Sequence, residues 1–137
     1  MLLIDTSVWI LIFRDPTGQV KASLTNLIGE QEVVLSRFTQ LELLQGCRDE
    51  REWVTLQNYL QGQDYLEPTE ETWELAARIY FDLRRQGKTV RSSIDCCIAQ
   101  LAIENKSVLV HCDRDFEPIT KVRSLQTVFF SADGDGN

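Results

Sequence analysis

The sequence predicts an α/β domain with a mainly parallel central sheet, and three observations favour it. Short apolar runs, typical of buried strands, occur five times along the chain. Between them lie longer segments in which apolar residues recur at the spacing of amphipathic helices, a pattern typical of a parallel sheet covered by helices. The length of 137 residues, with 43% hydrophobic and 26% charged residues, fits one globular domain.

The first half of the chain contains two predicted strands, each followed by helices. Residues 1–4 form an apolar run that ends at Asp5, and Thr6 and Ser7 commonly begin helices, here one that extends to Phe13. A break at 15–18 ends this helix. The further predictions here are a helix around 20–28, a strand over 32–36, and helices over 38–46 and 49–61.

The second half continues the alternation. It contains a very short predicted strand at 65–66, a helix from Pro68 to near Gly87, and a helix that Ser92 or Ser93 caps and that runs to about Asn105. Strands are predicted at 107–110 and 127–130. We expect the domain to cover residues 1–131 and the tail 132–137 to be flexible.

The charge balance excludes some classes of function. A formal charge of −7 and a pI near 4.7 speak against non-specific binding of nucleic acid. The balance suits a basic partner or a concentration of carboxylates around a metal ion.

The longest uncharged apolar stretch near the start, 8–13, is far shorter than the roughly 20 residues that span a bilayer, and no signal-peptide pattern is present. We therefore expect a cytoplasmic protein without membrane contact.

The cysteines do not indicate a disulfide framework or a zinc site. Cys47, Cys96, Cys97 and Cys112 form no C-x-x-C pair, and His111 is the single histidine. We expect reduced, mostly buried thiols, and the pattern assigns no role to these five residues.

Acidic residues occur where solubility does not require them. Asp5 follows the first strand, Glu42 lies within an apolar helix, Asp95 lies in the first turn of another helix, and Asp113 and Asp115 follow a strand. Parallel strands bring their carboxyl ends to one edge of the sheet, and the helix that carries Asp95 begins on that side.

If these carboxylates lie close together, their negative charges must be neutralised. Two carboxylates about 5 Å apart repel by roughly 3 kcal/mol at an effective dielectric constant of about 20, so some must be protonated or a divalent cation must neutralise them. Oxygen ligands without His or Cys favour Mg²⁺, with Mn²⁺ as the second choice, and such ions commonly serve phosphoryl transfer. Each residue alone has an ordinary structural interpretation, as a helix cap, a solvated helix position or a turn residue.

Four segments together resemble a known family: residues 3–9 (LIDTSVW), 39–46 (TQLELLQG), 93–99 (SIDCCIA) and 113–119 (DRDFEPI). They are similar to PIN-domain ribonucleases and, more narrowly, to the VapC toxins of bacterial toxin–antitoxin pairs. The resemblance implies a three-layer α/β/α fold, a metal-dependent endoribonuclease acting on RNA such as tRNA, a homodimer, and inhibition by a VapB-type antitoxin whose tail enters the active site.

The resemblance also assigns residues. Asp5, Glu42, Asp95 and Asp113 match the acidic quartet that holds Mg²⁺, and Asp115 matches a further acidic position. His111-Cys112 departs from the family, in which a Thr or another polar residue commonly precedes the last acidic motif.

A mechanism follows as an expectation. Asp5, Asp95 and Asp113 would bind the metal, while Glu42 would orient or deprotonate the attacking water or bind a second ion. Thr6 or Ser7 would hydrogen-bond a carboxylate, contact the substrate or simply cap the helix.

Cations and tryptophans near these segments have less specific interpretations. Arg91 is the best candidate for a phosphate contact because it leads into the helix of Asp95, although it could instead bind the carboxylates. For the other candidates, solvated surface charge is the simpler interpretation: Arg14, Arg37, Arg48, Lys88 and Arg114.

We interpret Trp9, Trp53 and Trp73 as core or dimer contacts.

Two other function classes remain open from the residues. A receiver-type phosphoacceptor would need paired acids after the first strand and a lysine after the last, and the chain has neither. A catalytically silent binding protein could share the fold without the activity.

Overall fold

The computed structural model describes residues 1–131, so the predicted tail at 132–137 lies outside the described residues. The strands are β1 (Leu2–Ile4), β2 (Val33–Ser36), β3 (Tyr65–Leu66), β4 (Val108–His111) and β5 (Thr127–Phe129). The helices are α1 (Thr6–Arg14), α2 (Gln19–Ile28), α3 (Arg37–Gln45), α4 (Glu50–Gln61), α5 (Glu70–Arg85), α6 (Ser93–Glu104) and α7 (Glu117–Thr120), with a 3₁₀ turn at Arg114–Phe116.

The five strands form one sheet in the order β3-β2-β1-β4-β5, and every neighbouring pair is parallel. The central strand β1 pairs Leu3 with Val34 of β2 and with Leu109 of β4. The predicted parallel sheet is confirmed. Because all strands run the same way, the residues that follow β1, β2 and β4 meet at one edge.

Helices cover both faces of the sheet, which gives the expected three-layer α/β/α architecture. Successive strand side chains point to opposite faces. Leu3, Val34 and Leu109 therefore pack with α5 and α6, whereas Ile4 and Val110 pack with α1, α2, α3 and α4.

Local capping explains where the helices begin at the functional edge. The Asp5 side chain accepts a hydrogen bond from the Ser7 backbone at the start of α1, and Ser36 accepts one from the Thr39 backbone at the start of α3. Of the two serines that could cap α6, Ser92 is the cap, since its hydroxyl accepts from Ile94 N at 3.1 Å.

The structure differs from the sequence prediction at two places. Residues 114–120, for which no element was predicted, form the 3₁₀ turn and α7, because Asp113 caps the turn and Pro118 fits a first helical turn. The core interpretation of Trp53 and Trp73 is wrong: their exposed fractions are 39% and 53%, because these helix faces are not covered within residues 1–131. Trp9 is buried as expected.

The remaining expectations concern thiols and membranes. All four cysteines are free, with Cys96 and Cys97 buried and Cys47 and Cys112 half-buried. Among the described residues, each helix is too short or too polar to span a lipid bilayer.

Candidate functional site

Three carboxylates form a tight group at the carboxyl edge of the sheet. Asp95, Asp113 and Asp115 each offer one oxygen, and these oxygens lie within 4.8 Å of one another. Asp95 projects from the first turn of α6, while Asp113 caps the 3₁₀ turn after β4 and Asp115 lies within it. The Asp115 backbone donates to Asp113 Oδ1 at 3.0 Å, which holds this turn in shape.

Asp5 lies beside this group and is more deeply buried. Its Oδ2 accepts hydrogen bonds from the Ser7 hydroxyl at 2.6 Å and from the Ser7 backbone at 3.1 Å. The Ser7 hydroxyl in turn accepts from Cys112 N at 3.2 Å, so Ser7 joins the start of α1 to the segment after β4. Burial raises the pKa of Asp5 above its ordinary value, and the charge of Asp113 adds to this, although the hydrogen bonds from Ser7 oppose it.

Glu42 reaches the site from α3 through a network of hydroxyl groups. Thr6 Oγ1 donates to Glu42 Oε1 at 2.9 Å and lies 3.0 Å from the Oγ1 of the buried Thr39. Thr39 N donates to Ser36 Oγ at 3.2 Å. Thr39 and Ser36 were not singled out from the sequence, although a serine between a strand and an apolar helical segment is a recognisable N-cap signal.

Asp95 shows most directly that the acidic residues meet. Its pKa is raised to about 7, first by burial and then by the charges of Asp5, Asp113, Asp115 and Glu42. The structure therefore brings all five carboxylates that we selected from the sequence into electrostatic contact.

Arg91 lies at the margin of the acidic group. Its Nε is 3.6 Å from Asp115 Oδ2, while its side chain is 84% exposed. An exposed pair of this kind contributes little to stability. The guanidinium can therefore leave Asp115 at low cost and contact another anion.

His111 supports the turn that carries two of the carboxylates. Its Nδ1 lies 2.9 Å from the backbone oxygen of Asp113, and because a carbonyl can only accept, Nδ1 carries the proton. The ring is buried and makes T-shaped contacts with the rings of Phe116 and Phe129. Burial lowers the pKa of His111, so the ring is neutral at pH 7. We assign His111 a structural role in holding this turn.

The chemistry of the donor set fits a hard divalent cation. The site presents only carboxylate oxygens at its centre. The three carboxylates that lie closest together are half-buried, and within residues 1–131 no buried Lys or Arg side chain balances their charge. Such a group is costly without a positive charge, whereas Mg²⁺ or Mn²⁺ would satisfy several oxygens at once.

A groove of about 1160 Å³ adjoins the site. It lies between α1, α3 and α4, and Glu42 is one of its lining residues. Phe13 and Tyr59 contribute exposed aromatic surface to it, with exposed fractions of 53% and 45%. The acidic site therefore continues into a surface groove whose lining combines apolar side chains with charged ones.

Comparison with known proteins identifies relatives over nearly the whole chain. The sequence model of the PIN domain matches residues 2–122. VapC ribonuclease Mb1587 of Mycobacterium bovis and ribonuclease VapC11 of Mycobacterium tuberculosis are each 37% identical over 134 residues, covering 95% of this chain and 99% of the relative. Ribonuclease VapC51 of M. tuberculosis is 31% identical over 120 residues, covering 88% of this chain and 85% of the relative.

Solved structures agree in fold. The structure of VapBC2 from Rickettsia felis bound to a promoter DNA fragment contains a chain that matches with a TM-score of 0.76 at 15% identity, covering 95% of this chain and 98% of that one. FitAcB from Neisseria gonorrhoeae matches with a TM-score of 0.73 at 23% identity, covering 96% and 98%. The sheet order, the acidic edge and the sequence identity lead to one assignment: this chain belongs to the PIN domain family and, within it, to the VapC ribonucleases.

Proposed function

We propose that the chain is a Mg²⁺-dependent endoribonuclease that acts as the toxin of a toxin–antitoxin pair in the cytoplasm. The observation that carries this proposal is the grouping of Asp95, Asp113 and Asp115, whose oxygens lie within 4.8 Å of one another. The charges of these neighbours and of Asp5 and Glu42 also act on Asp95. The VapC relatives support RNA as the substrate class. Mn²⁺ is an alternative ion, and structured RNA such as tRNA is the expected target.

The carboxylates have different tasks in this proposal. Asp95, Asp113 and Asp115 would hold the cation, with Asp5 beside them. When bound, the cation would lower the pKa of a water molecule and stabilise negative charge on the phosphate and the leaving oxygen. Ser7 keeps Asp5 in place through the two hydrogen bonds to Oδ2.

Glu42 is suited to act on the water that attacks the phosphodiester. Thr6 engages its Oε1, so the carboxylate has a fixed orientation and Oε2 is the oxygen that would accept the proton. The alternative role, binding a second cation, uses the same oxygen. Arg91 would contact a phosphate oxygen of the substrate after releasing Asp115.

A cleavage assay tests the proposal. The wild-type chain should cut RNA in Mg²⁺ buffer, and EDTA or the Asp95→Asn substitution should abolish cutting. Expression should arrest growth, and Asp5→Ala should relieve the arrest. RNA that stays intact with the folded wild-type chain in both Mg²⁺ and Mn²⁺ would favour the second candidate, a PIN-fold protein that binds a partner without catalysis.

A VapB-type antitoxin is the proposed partner, and the groove between α1, α3 and α4 is its proposed docking site. The groove combines apolar surface from Phe13 and Tyr59 with a direct connection to Glu42, so one extended peptide could fill it and reach the acidic site. The groove itself is lined by three arginines and three acidic residues, so a basic segment would be attracted by the net charge of −7 of the whole chain and by the carboxylates at the site. Phe13→Ser should weaken the complex, whereas Val54→Ser, at an equally exposed position on α4, should not.

A second copy of the chain is the proposed occupant of another apolar surface. Phe38 of α3 and Trp73 of α5 contact edge to face at 6.3 Å, and Trp73 and the nearby α3 residue Leu41 are more than half exposed. Light scattering should give the mass of a homodimer, and Trp73→Ser should give a folded monomer. A monomeric wild-type chain would contradict this part of the proposal.

A further inference from the structure

One segment of this acidic chain is strongly basic. Residues 78–91 contain five of the 14 Lys and Arg residues but only one of the 21 Asp and Glu residues. The segment comprises the second half of α5 and the loop that leads into α6. This continuous stretch therefore has an excess of positive charge, whereas the chain as a whole has an excess of negative charge.

The cations of α5 lie over two aromatic rings, the exposed ring of Phe81 and the partly buried ring of Tyr80. The guanidinium carbons of Arg78 and Arg85 lie 4.8 Å and 5.6 Å from the centre of the Phe81 ring, which is 37% exposed. The guanidinium carbon of Arg84 lies 5.9 Å from the centre of the Tyr80 ring. Arginines held over aromatic rings at a surface are suited to contact phosphates while the ring offers a face to a base.

The single acidic residue of the segment does not cancel this charge. Asp82 accepts hydrogen bonds from Arg78 at 3.0 Å and from Arg123 at 2.8 Å, so two cations share it. Arg123 comes from the segment after α7 and adds one more positive charge to the same surface. In the described part of the chain, Arg85 and Lys88 have no carboxylate within ion-pair distance.

The basic stretch ends at the acidic site. Arg91 is its last residue and pairs with Asp115, and α6, which carries Asp95, begins two residues later. A polyanion that follows the stretch from α5 along the loop would therefore arrive at the carboxylates. A substrate with this charge needs such a path, because the acidic edge alone would repel it.

We propose that Arg78, Phe81, Arg84, Arg85 and Lys88 form an RNA-binding surface, the α5 basic face, which guides the RNA backbone past Arg91 into the site. This inference rests on the proposed ribonuclease function and adds the route by which the substrate is held. Binding at this face neutralises phosphates and releases their counterions, so it must depend on salt.

The salt dependence of RNA binding, measured with a catalytically inactive variant, tests the inference. The Asp95→Asn chain, with and without Arg85→Ala and Lys88→Ala together, is titrated with a fluorescently labelled RNA hairpin over a range of NaCl concentrations. The logarithm of the RNA-binding constant falls with the logarithm of the salt concentration, and each phosphate contact adds roughly 0.7–0.9 to the steepness of this fall. The double substitution should therefore make the slope shallower by roughly 1.5. The matched control is Lys21→Ala with Lys106→Asn, which removes the same charge from α2 and from the turn before β4.

The outcomes separate this inference from the proposed function. An unchanged salt slope in the folded Arg85→Ala, Lys88→Ala chain would overturn the α5 basic face, even if the wild-type chain still cleaves RNA. An equal fall in slope for the control pair would also overturn it, because general charge would then explain binding. Weakened antitoxin binding with unaltered RNA binding would show that the face serves a protein partner instead.

Discussion

Thr6 Oγ1 lies 2.9 Å from Glu42 Oε1, and this hydrogen bond joins the first turn of α1 to the middle of α3 at the carboxyl edge of the sheet. The contact links residues that are 36 positions apart in sequence. It gives Glu42 a fixed position relative to Asp5, which immediately precedes Thr6.

Removal of the Thr6 hydroxyl should impair catalysis more than folding. In Thr6→Val the side chain keeps its shape but cannot donate to Glu42, so we expect kcat for RNA cleavage to fall by about 10- to 100-fold through misorientation. Thr6→Ser should retain most of the activity. A Thr6→Val enzyme with the wild-type kcat and an unchanged melting temperature would show that this hydrogen bond does not position Glu42.

The metal-free chain should lose stability as the pH rises. The pKa of Asp95 is about 7 in the folded chain and about 4 in an unfolded one. The folded chain therefore binds this proton more tightly, so the stabilising contribution is complete below about pH 4 and is lost as the pH rises through about 7.

Thermal melts in EDTA measure this effect. The melting temperature of the wild-type chain should fall between about pH 4 and pH 7, and Asp95→Asn, which has no carboxylate to ionise, should reduce the fall. Asp64→Asn, at an exposed position, is the matched control and should behave as the wild type. Parallel profiles for wild type and Asp95→Asn would contradict the raised pKa.

The ion pair between Asp82 and Arg123 should stabilise the fold at neutral pH. It joins α5 to the segment after α7, and both side chains are about one-quarter exposed. The hydrogen bond from Arg123 is the main cause that lowers the pKa of Asp82. Its stabilising contribution is therefore present above the unfolded-state pKa and is lost as the pH falls through the lower folded-state value.

Arg123→Gln should accordingly lower the melting temperature at pH 7, and the difference from wild type should shrink below about pH 4. Arg78→Gln removes the more exposed partner of the same carboxylate and should cost less. A difference for Arg123→Gln that stays constant down to acid pH would mean that packing, not charge, explains the loss.

Sequence reasoning predicted the site best where the topology leaves little freedom. A parallel sheet must bring the residues after β1 and β4 to one edge, so the meeting of Asp5 and Asp113 follows from recognising two strands. The position of Asp115 within the closest group depends on the 3₁₀ turn, a short element without periodicity, and was not predictable in this way.

Contacts between helices were the least predictable. The Thr6–Glu42 hydrogen bond depends on how α1 packs against α3, which no local pattern encodes. The exposure of Trp53 and Trp73 was unpredictable for the same reason. Helical spacing indicates that apolar residues share a face, but not whether another part of the protein covers that face.

Binding of Mn²⁺ to the RNA-free chain tests the central claim most directly. In calorimetric titrations at neutral pH, the wild-type chain should bind Mn²⁺ saturably, and Asp95→Asn and Asp113→Asn should each weaken binding by about tenfold or more. Glu30→Gln, which removes an exposed carboxylate between α2 and β2, should bind as the wild type does. Equal Mn²⁺ affinity in all four proteins would contradict the assignment of the acidic edge as the metal site.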